Sequence, residues 1–282
     1  MTETISFIRN SLASRFPEGE IRSLVRLILE HVTGLPRHQI LLNKDKKLSG
    51  KEKDQIQEII SRLKQSEPIQ YILGKTEFCG ITFEVNPAVL IPRPETEELV
   101  EQIIRDWQGK QPTIADIGTG SGCIAISLAK FLPDARIYAL DISGEAIRTA
   151  RENACRNEVT LHFAHSDILN TEQPERDLPE NLDALVSNPP YVLVKEKKQM
   201  EKNVLDFEPH LALFVSDEDP LLFYRAIART GQHKLREKGT LYLEINGMYG
   251  EETVRLLADY GYKKIELKKD LSGKDRIIKA SK

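Results

Sequence analysis

Cysteine is scarce in this 282-residue sequence, and the three cysteines lie far apart, at Cys79, Cys123 and Cys155. No two of them form a Cys-x-x-Cys pair, and the six histidines provide no ligand set. An odd number of isolated cysteines argues against a disulfide framework, and their spacing argues against a zinc site. We therefore expect no metal and no disulfide-stabilised fold.

Long apolar runs and an excess of positive charge are also lacking. No stretch approaches the roughly 20 apolar residues of a membrane span, and residues 1–12 contain Glu3 and no apolar run typical of a signal or transit peptide. Lysine and arginine number 40 against 43 acidic residues, a net charge of −3. Because a stand-alone nucleic-acid binder usually carries a basic excess, we expect a soluble cytoplasmic protein without membrane contact or direct nucleic-acid binding.

The first third of the chain has the periodicity of helices. One stretch places its apolar residues on a single helix face: Ile21, Leu24, Val25, Ile28 and Val32. A later stretch starts with Ser49 and Glu52, which have the spacing of a capping box, and must end near Pro68. We predict a small helical bundle over residues 1–72.

The rest of the chain changes from helices to strands and then alternates between the two. Residues 73–93 carry alternating apolar residues around Gly80 and predict a β-hairpin, which we interpret as the connector to a second domain over residues 94–282. Seven strand-like runs follow: Thr113–Ile117, Arg136–Leu140, Leu161–Ala164, Ala184–Ser187, Thr240–Ile245, Ile265–Lys268 and Arg276–Ala280. Helical stretches separate most of them, which predicts an α/β fold with a mostly parallel sheet covered on both faces. The last two runs are too close for a crossover helix and should pair antiparallel at one edge.

A glycine-rich loop follows the first strand of this second domain and opens a helix: Asp116-Ile117-Gly118-Thr119-Gly120-Ser121-Gly122. Glycines let a ligand approach the backbone, and a helix N-terminus favours a carboxylate or phosphate. Asp141, at the end of the next strand, can accept both hydrogen bonds of a ribose diol. A dinucleotide fingerprint would need glycine where Cys123 stands, so the loop suits S-adenosylmethionine better than NAD. A structural turn that holds no ligand is the remaining alternative.

The segment Ser187-Asn188-Pro189-Pro190-Tyr191 comes directly after the fourth strand. Ligands of open parallel sheets bind beyond the carboxyl ends of the strands, so Asn188 and the glycine loop should meet at one edge. The prolines donate no hydrogen bonds, whereas the backbone carbonyls and the side-chain carbonyl of Asn188 remain acceptors. A planar NH2 group has two donors and fits such a site, and we expect Tyr191 to pack flat against it. A plain loop that ends the strand is the alternative.

With these motifs the chain resembles a known family, the release factor glutamine methyltransferases (the PrmC/HemK group). The resemblance extends over nearly the whole length and includes four further segments: Glu67–Gly74, Ile91–Glu97, Phe207–Leu213 and Asp270–Arg276. It implies a Rossmann-like class I S-adenosylmethionine-dependent methyltransferase sheet with an N-terminal helical bundle joined by a β-hairpin. It also implies the substrate, the glutamine of the Gly-Gly-Gln (GGQ) motif of class 1 peptide chain release factors, which is methylated on its side-chain nitrogen.

The same resemblance assigns residues to the two ligands. Those implied to bind S-adenosylmethionine, and S-adenosylhomocysteine as product, are Asp116, Gly118, Thr119, Gly120, Ser121, Gly122, Asp141, Ile142, Asp167, Ile168 and Asn188. Those implied to bind the glutamine amide and promote its methylation are Asn188, Pro189, Pro190 and Tyr191. Ile168 stands where the family often has a larger ring, which implies weaker stacking on the adenine. The helical bundle is implied to dock the release factor.

Two other functions stay open on the sequence. An enzyme that methylates adenine in DNA or guanine in RNA shares Asn-Pro-Pro-Tyr, but it predicts a target-recognition domain or a basic face. A non-catalytic binding module would keep the fold without needing the glycine loop, Asp141 and Asn188 together. Arg93 and Glu95 recur in the family's pattern, and we interpret them as capping and packing residues at the connector. We expect a monomer.

Overall fold

The computed structural model describes residues 1–43, 47–170 and 177–282. Residues 44–46 of the predicted bundle and residues 171–176 of the predicted second domain lie outside the described residues. The chain divides into two compact units, the first formed by Met1–Gly74 with Lys202–Phe207 and the second by Lys75–Glu201 with Glu208–Lys282. The segment Lys202–Phe207 thus groups with the N-terminal helices, although the sequence assigned it to the second domain.

The first unit is helical in its described part. Its helices are α1 (Thr2–Leu12), α2 (Glu18–Thr33), α3 (Arg37–Leu42), α4 (Gly50–Lys64), α5 (Ile69–Leu73) and the short α9 (Lys202–Leu205). The apolar face predicted for α2 is buried except for Val32, which is partly buried, and Ile21 and Ile28 pack in one core with Ile8 and Leu12 of α1. The capping box is confirmed, since Ser49 Oγ accepts from the Glu52 amide at 3.2 Å and the Glu52 carboxylate accepts from the Ser49 amide at 2.6 Å.

The second unit contains the strands and the remaining helices. Its strands are β1 (Lys75–Phe78), β2 (Ile81–Glu84), β3 (Thr113–Ile117), β4 (Arg136–Asp141), β5 (His162–His165), β6 (Leu182–Ser187), β7 (Val192–Leu193), β8 (Phe214–Val215), β9 (Leu235–Glu244), β10 (Lys263–Lys269) and β11 (Asp275–Ser281). Its helices are α6 (Pro94–Trp107), α7 (Cys123–Phe131), α8 (Gly144–Arg156), α10 (His210–Leu213), α11 (Leu222–Lys234) and α12 (Gly250–Asp259). Within the described residues, no helix is both long and apolar enough to cross a membrane.

A seven-stranded sheet organises the described part of this unit, in the order β10-β11-β9-β6-β3-β4-β5. The five strands β9, β6, β3, β4 and β5 are parallel to one another. Strand β11 runs antiparallel to β9, and β10 runs antiparallel to β11. The predicted sheet, with its antiparallel final pair at an edge, is confirmed. Buried clusters cover both faces, with Ile103 and Leu128 in one and Ile227 and Leu257 in the other.

The predicted β-hairpin is present as β1 and β2, which pair antiparallel around Cys79-Gly80. Its apolar residues Phe78 and Phe83 are buried in the core of the second unit, so the hairpin is a packed part of that unit. Asn153 of α8 ties the hairpin to the glycine loop. Its side chain bonds both backbone groups of Glu84, at 2.7 and 2.9 Å, and donates to the Ser121 carbonyl at 2.9 Å.

Candidate active site

A cavity of about 400 Å³ lies at the carboxyl edge of the parallel strands, which is within the usual range for small-molecule sites. Most of the predicted site residues line it: Gly118, Thr119, Gly120, Ser121, Asp141, Ile142, Asp167, Ile168, Asn188, Pro189 and Pro190. The structure therefore brings the loops after β3, β4, β5 and β6 together. Three predicted residues do not line the cavity, namely Asp116, Gly122 and Tyr191.

One side of the cavity, which we call the loop wall, consists of Gly118–Ser121 and Asp141–Ser143. The amides of Gly118 and Thr119 donate to the Leu140 carbonyl at 2.8 and 2.9 Å, which holds the loop against the end of β4. Gly118 and Gly120 have φ values of +74° and +55°, a region that residues with a Cβ rarely adopt. The wall therefore presents backbone, without side chains at these two positions, to a ligand.

Asp141 is oriented by backbone amides of the loop wall. Its Oδ2 accepts from the Gly120 amide at 2.8 Å and its Oδ1 from the Ser143 amide at 2.9 Å. A carboxylate has about four lone-pair sites, so each oxygen keeps capacity for a further hydrogen bond. Burial raises the pKa of Asp141, and its hydrogen bonds to Ser143 and Gly120 lower it. The donor set that a ribose diol offers matches these two oxygens.

Asp116 and Gly122 support the loop wall from behind. Asp116 is fully buried, and its Oδ2 accepts from the Thr119 hydroxyl at 2.7 Å. Burial raises the pKa of Asp116 to about 7 against the lowering effect of this hydrogen bond. At Gly122, which has a φ of +83°, a Cβ would lie 2.7 Å from Ile126 Cδ1 and 3.1 Å from Ala150 Cβ. Both residues thus shape the loop, and their contact with the cofactor stays a prediction.

A second part of the cavity lining, which we call the amide wall, is formed by Asn188 and Thr96. Asn188 Nδ2 donates to Thr96 Oγ1 at 3.1 Å, and the Thr96 hydroxyl donates to Glu244 Oε2 at 2.6 Å. Thr96 lies in the first turn of α6 and Glu244 at the end of β9. Thr96 belongs to the segment Ile91–Glu97 that carried the resemblance, but no pattern in the sequence indicated its contacts with Asn188 and Glu244, because they join positions far apart in the chain.

Tyr191 contacts the other oxygen of Glu244. Its hydroxyl donates to Glu244 Oε1 at 3.1 Å and accepts from Arg276 Nη1 at 3.3 Å. The Arg276 guanidinium also lies 5.9 Å from the centre of the Tyr191 ring, within the range of a cation–π contact. Burial, reinforced by the nearby Glu244, raises the pKa of Tyr191 well above its usual range, so its hydroxyl stays protonated. Tyr191 thus contacts Glu244 and does not line the cavity, and its flat packing against the substrate stays a prediction.

Arg93 lines the cavity and pairs with Glu208 through a 2.6 Å contact between Nη2 and Oε1. The Glu208 side chain is 1% exposed and also accepts from the Ile91 amide at 3.2 Å. A carboxylate buried to this extent needs such partners. The pair joins two of the segments that carried the resemblance, Ile91–Glu97 and Phe207–Leu213. Arg93 is therefore part of the cavity, whereas the sequence suggested only capping and packing at a connector.

Two family descriptions match the chain. Residues 4–74 match the PrmC N-terminal domain, and residues 95–207 match the methyltransferase small domain. The chain is 51% identical to the release factor glutamine methyltransferase of Flavobacterium psychrophilum over 275 residues, covering 96% of this chain and 95% of that protein. It is 46% identical to the release factor glutamine methyltransferase of Bacteroides thetaiotaomicron over the whole length of both.

A solved structure shares the fold at low sequence identity. The crystal structure of a methyltransferase from Pyrococcus furiosus has a TM-score of 0.54 and 15% identity, and the match covers 72% of this chain and 89% of that chain. The predicted class of fold, a methyltransferase sheet with a preceding helical domain, is confirmed.

Proposed function

The chain belongs to the release factor glutamine methyltransferase family, and from that premise we propose that it methylates the glutamine of the GGQ motif of class 1 peptide chain release factors. The methyl donor is S-adenosylmethionine, which supplies an electrophilic methyl group on its sulfonium. The observation that supports this proposal most directly is the amide wall. There Asn188 lies at the cavity beside two prolines, which have no N–H to donate.

The loop wall suits the cofactor. Asp141 would accept from the ribose hydroxyls with the lone pairs that Gly120 and Ser143 leave free. Asp167 and Ile168 line the cavity where the adenine would lie. The backbone of Gly118 and Gly120 lets the donor approach closely, since neither position carries a Cβ.

The amide wall suits the glutamine. A carboxamide nitrogen is a poor nucleophile, because its lone pair is delocalised into the carbonyl. Asn188 Oδ1 and the backbone carbonyls of this segment would accept its two hydrogens and hold the nitrogen at the distance and angle needed for attack. These acceptors also stabilise the positive charge that builds on nitrogen as the new bond forms. The nitrogen would take the methyl group as the carbon–sulfur bond breaks and S-adenosylhomocysteine leaves as a neutral thioether. The nitrogen would lose one proton to solvent, and we assign no general base.

The first unit, Met1–Gly74 with Lys202–Phe207, would dock the release factor, and the protein would act as a monomer in the cytoplasm. Light scattering of the purified protein alone, and of its mixture with a release factor, tests the stoichiometry. A protein that is dimeric at working concentration would contradict the monomer. A variant with charge reversals on the exposed face of α2 that binds the release factor normally would argue against docking on the helices.

The reaction is tested by tandem mass spectrometry of a bacterial release factor after incubation with the protein and S-adenosylmethionine. We expect one added methyl group on the glutamine of the GGQ motif. A release factor with glutamate at that position is the matched control and should gain none. An unmodified release factor, together with cofactor binding intact by calorimetry, would mean that the substrate is a different one. DNA and RNA are the next substrates to test.

A further inference from the structure

A chain of side-chain hydrogen bonds leads from the cavity to a buried carboxylate. Asn188 Nδ2 bonds Thr96 Oγ1 at 3.1 Å, and Thr96 Oγ1 bonds Glu244 Oε2 at 2.6 Å. Thr96 is 2% exposed and Glu244 is 1% exposed, so the bond between these two residues is shielded from bulk water, whereas Asn188 lines the cavity. We call this chain the Asn188–Thr96–Glu244 relay.

When Glu244 is ionised, its carboxylate sets the direction of every bond in the relay. It can only accept, so the single hydrogen of the Thr96 hydroxyl must be donated to Glu244. Toward Asn188, Thr96 then has only lone pairs to offer. The group of Asn188 that faces Thr96 must therefore be its NH2, and Oδ1 is left as the group that Asn188 offers to a ligand.

This inference rests on the proposed function. We propose that Thr96 and Glu244 are positioning residues, which hold the Asn188 carboxamide in the orientation that accepts the substrate N–H. The acceptor that the relay presents must be met by a donor, which the NH2 group of a primary amide supplies. A carboxamide turned over by 180° would present its own NH2 to the substrate NH2, and neither group could accept.

Protonation of Glu244 permits the reverse arrangement. A protonated carboxyl can donate to Thr96 Oγ1, which frees the threonine hydrogen for Asn188 Oδ1 and so stabilises the turned-over carboxamide. The relay is thus directional only while Glu244 is ionised.

The groups around Glu244 come from several elements. Glu95 and Thr96 belong to α6, Tyr191 to the loop after β6, Tyr224 to α11 and Arg276 to β11. Burial raises the pKa of Glu244, with Glu95 adding to it, and the hydroxyls of Thr96 and Tyr191 and the charge of Arg276 lower it in part. The net shift is upward, so the ionised fraction falls at a higher pH than for an ordinary glutamate. Methyl transfer should therefore be lost as the pH decreases through this raised pKa.

The first test separates kcat from KM. Thr96→Val removes the hydroxyl at nearly constant volume, and we expect kcat to fall at least about tenfold, the cost of an amide that is no longer held. Thr96→Ser restores the hydroxyl and should recover most of that loss. Glu244→Gln can donate to Thr96 as well as accept, so it should lower kcat and remove the acidic limb of the pH profile. Thermal melting of each variant checks that it is folded.

The second test does not depend on activity. Protein labelled with 15N at asparagine gives side-chain NH2 signals by NMR, and the signal of Asn188 is identified by its absence in Asn188→Ala. We expect this signal to shift with pH in the wild type and to stay constant in Glu244→Gln. If Glu244→Gln is not folded, Thr96→Val serves in its place and should show the same loss of pH dependence.

The outcomes distinguish this inference from the proposed function. A wild-type protein that leaves the release factor unmodified but shows the pH-dependent Asn188 signal would overturn the substrate and keep the relay. The opposite outcome would overturn the relay and keep the substrate. In that case the wild-type protein methylates the release factor, Thr96→Val retains kcat, and the pH dependence of the Asn188 signal is the same in Glu244→Gln as in the wild type.

Discussion

The loop wall and the amide wall face the same cavity but are held in place by different kinds of bond. The loop wall depends on backbone amides, which bond the Leu140 carbonyl and the Asp141 carboxylate within a short stretch of β3, β4 and their loops. The amide wall depends on side chains, with Thr96, Asn188 and Glu244 contributed by α6, the loop after β6 and the end of β9.

This contrast predicts which substitutions each wall tolerates. Backbone bonds of the loop wall survive most side-chain changes, because every non-proline residue carries the same amide. The amide wall is more sensitive, because its hydrogen bonds join side chains and each bond is lost when one of its two side chains is replaced. Substitutions on the loop wall should therefore affect mainly cofactor affinity, and substitutions on the amide wall mainly the rate of methyl transfer.

The largest effect should come from Asp141→Ala, which removes the side chain that serves the loop wall both as a brace and as an acceptor. We expect the dissociation constant for S-adenosylmethionine to increase about thirtyfold, as for the loss of about two hydrogen bonds. Isothermal titration calorimetry measures it. An unchanged affinity together with a reduced kcat would contradict the expectation that the loop wall mainly determines cofactor affinity.

Asn188→Ala should give the opposite pattern. The variant loses the acceptor of the amide wall, so methyl transfer at saturating cofactor should fall at least about tenfold. The cofactor dissociation constant should stay within about twofold, because no bond of the loop wall is touched. Single-turnover kinetics with calorimetry on the same preparation measure both quantities. Near-normal turnover would remove Asn188 from the mechanism.

A smaller effect is expected for Tyr191→Phe, which removes one donor to Glu244 and leaves the Asn188–Thr96–Glu244 relay in place. With one stabilising hydrogen bond fewer, the pKa of Glu244 should rise further. The acidic limb of the pH–rate profile should therefore move to higher pH, with kcat at its plateau reduced about threefold. A limb that moves to lower pH would contradict the assignment of Glu244.

The smallest effect is expected at Ile168, whose side chain lines the cavity but does not belong to the loop wall. Ile168→Phe would supply the ring that the family often has there, and we expect cofactor affinity to increase about threefold, the effect of one aromatic stack. Ile168→Leu is the matched control, with similar apolar volume and no ring. Equal affinities in the two variants would mean that the adenine does not stack at this position.

The fold and the loop wall could be predicted because their signals are local. The bounds of β3 agree with the prediction, since the glycine-rich loop marks where the apolar strand ends. By contrast, β9 starts at Leu235, whereas the prediction started at Thr240. The charged residues Arg236–Lys238 interrupt the apolar pattern there, and the pairing of Leu235 with Leu182 adds the missing part.

The amide wall could be predicted only in part, for the same physical reason. Asn188 carries a motif that can be recognised, but its partners Thr96 and Glu244 are brought to it by the sheet and α6. No spacing in the sequence encodes that contact. Tyr191 was expected to pack flat against the substrate amide, which stays a prediction, but nothing in the sequence indicated that its hydroxyl bonds Glu244 and Arg276.

The hairpin of β1 and β2 carries a consequence for how this chain can change in length. Surface hairpins are usually places where insertions and deletions are tolerated. Here the Cys79 amide at the turn donates to Glu97 of α6 at 2.7 Å, and Glu84 at the far end is bonded on both backbone groups by Asn153. Because Asn153 also bonds Ser121, a residue added between the two anchors would have to break one of them or pull on the glycine loop. The hairpin should therefore not tolerate insertions or deletions between Cys79 and Glu84, and variation in chain length should be confined to segments outside it.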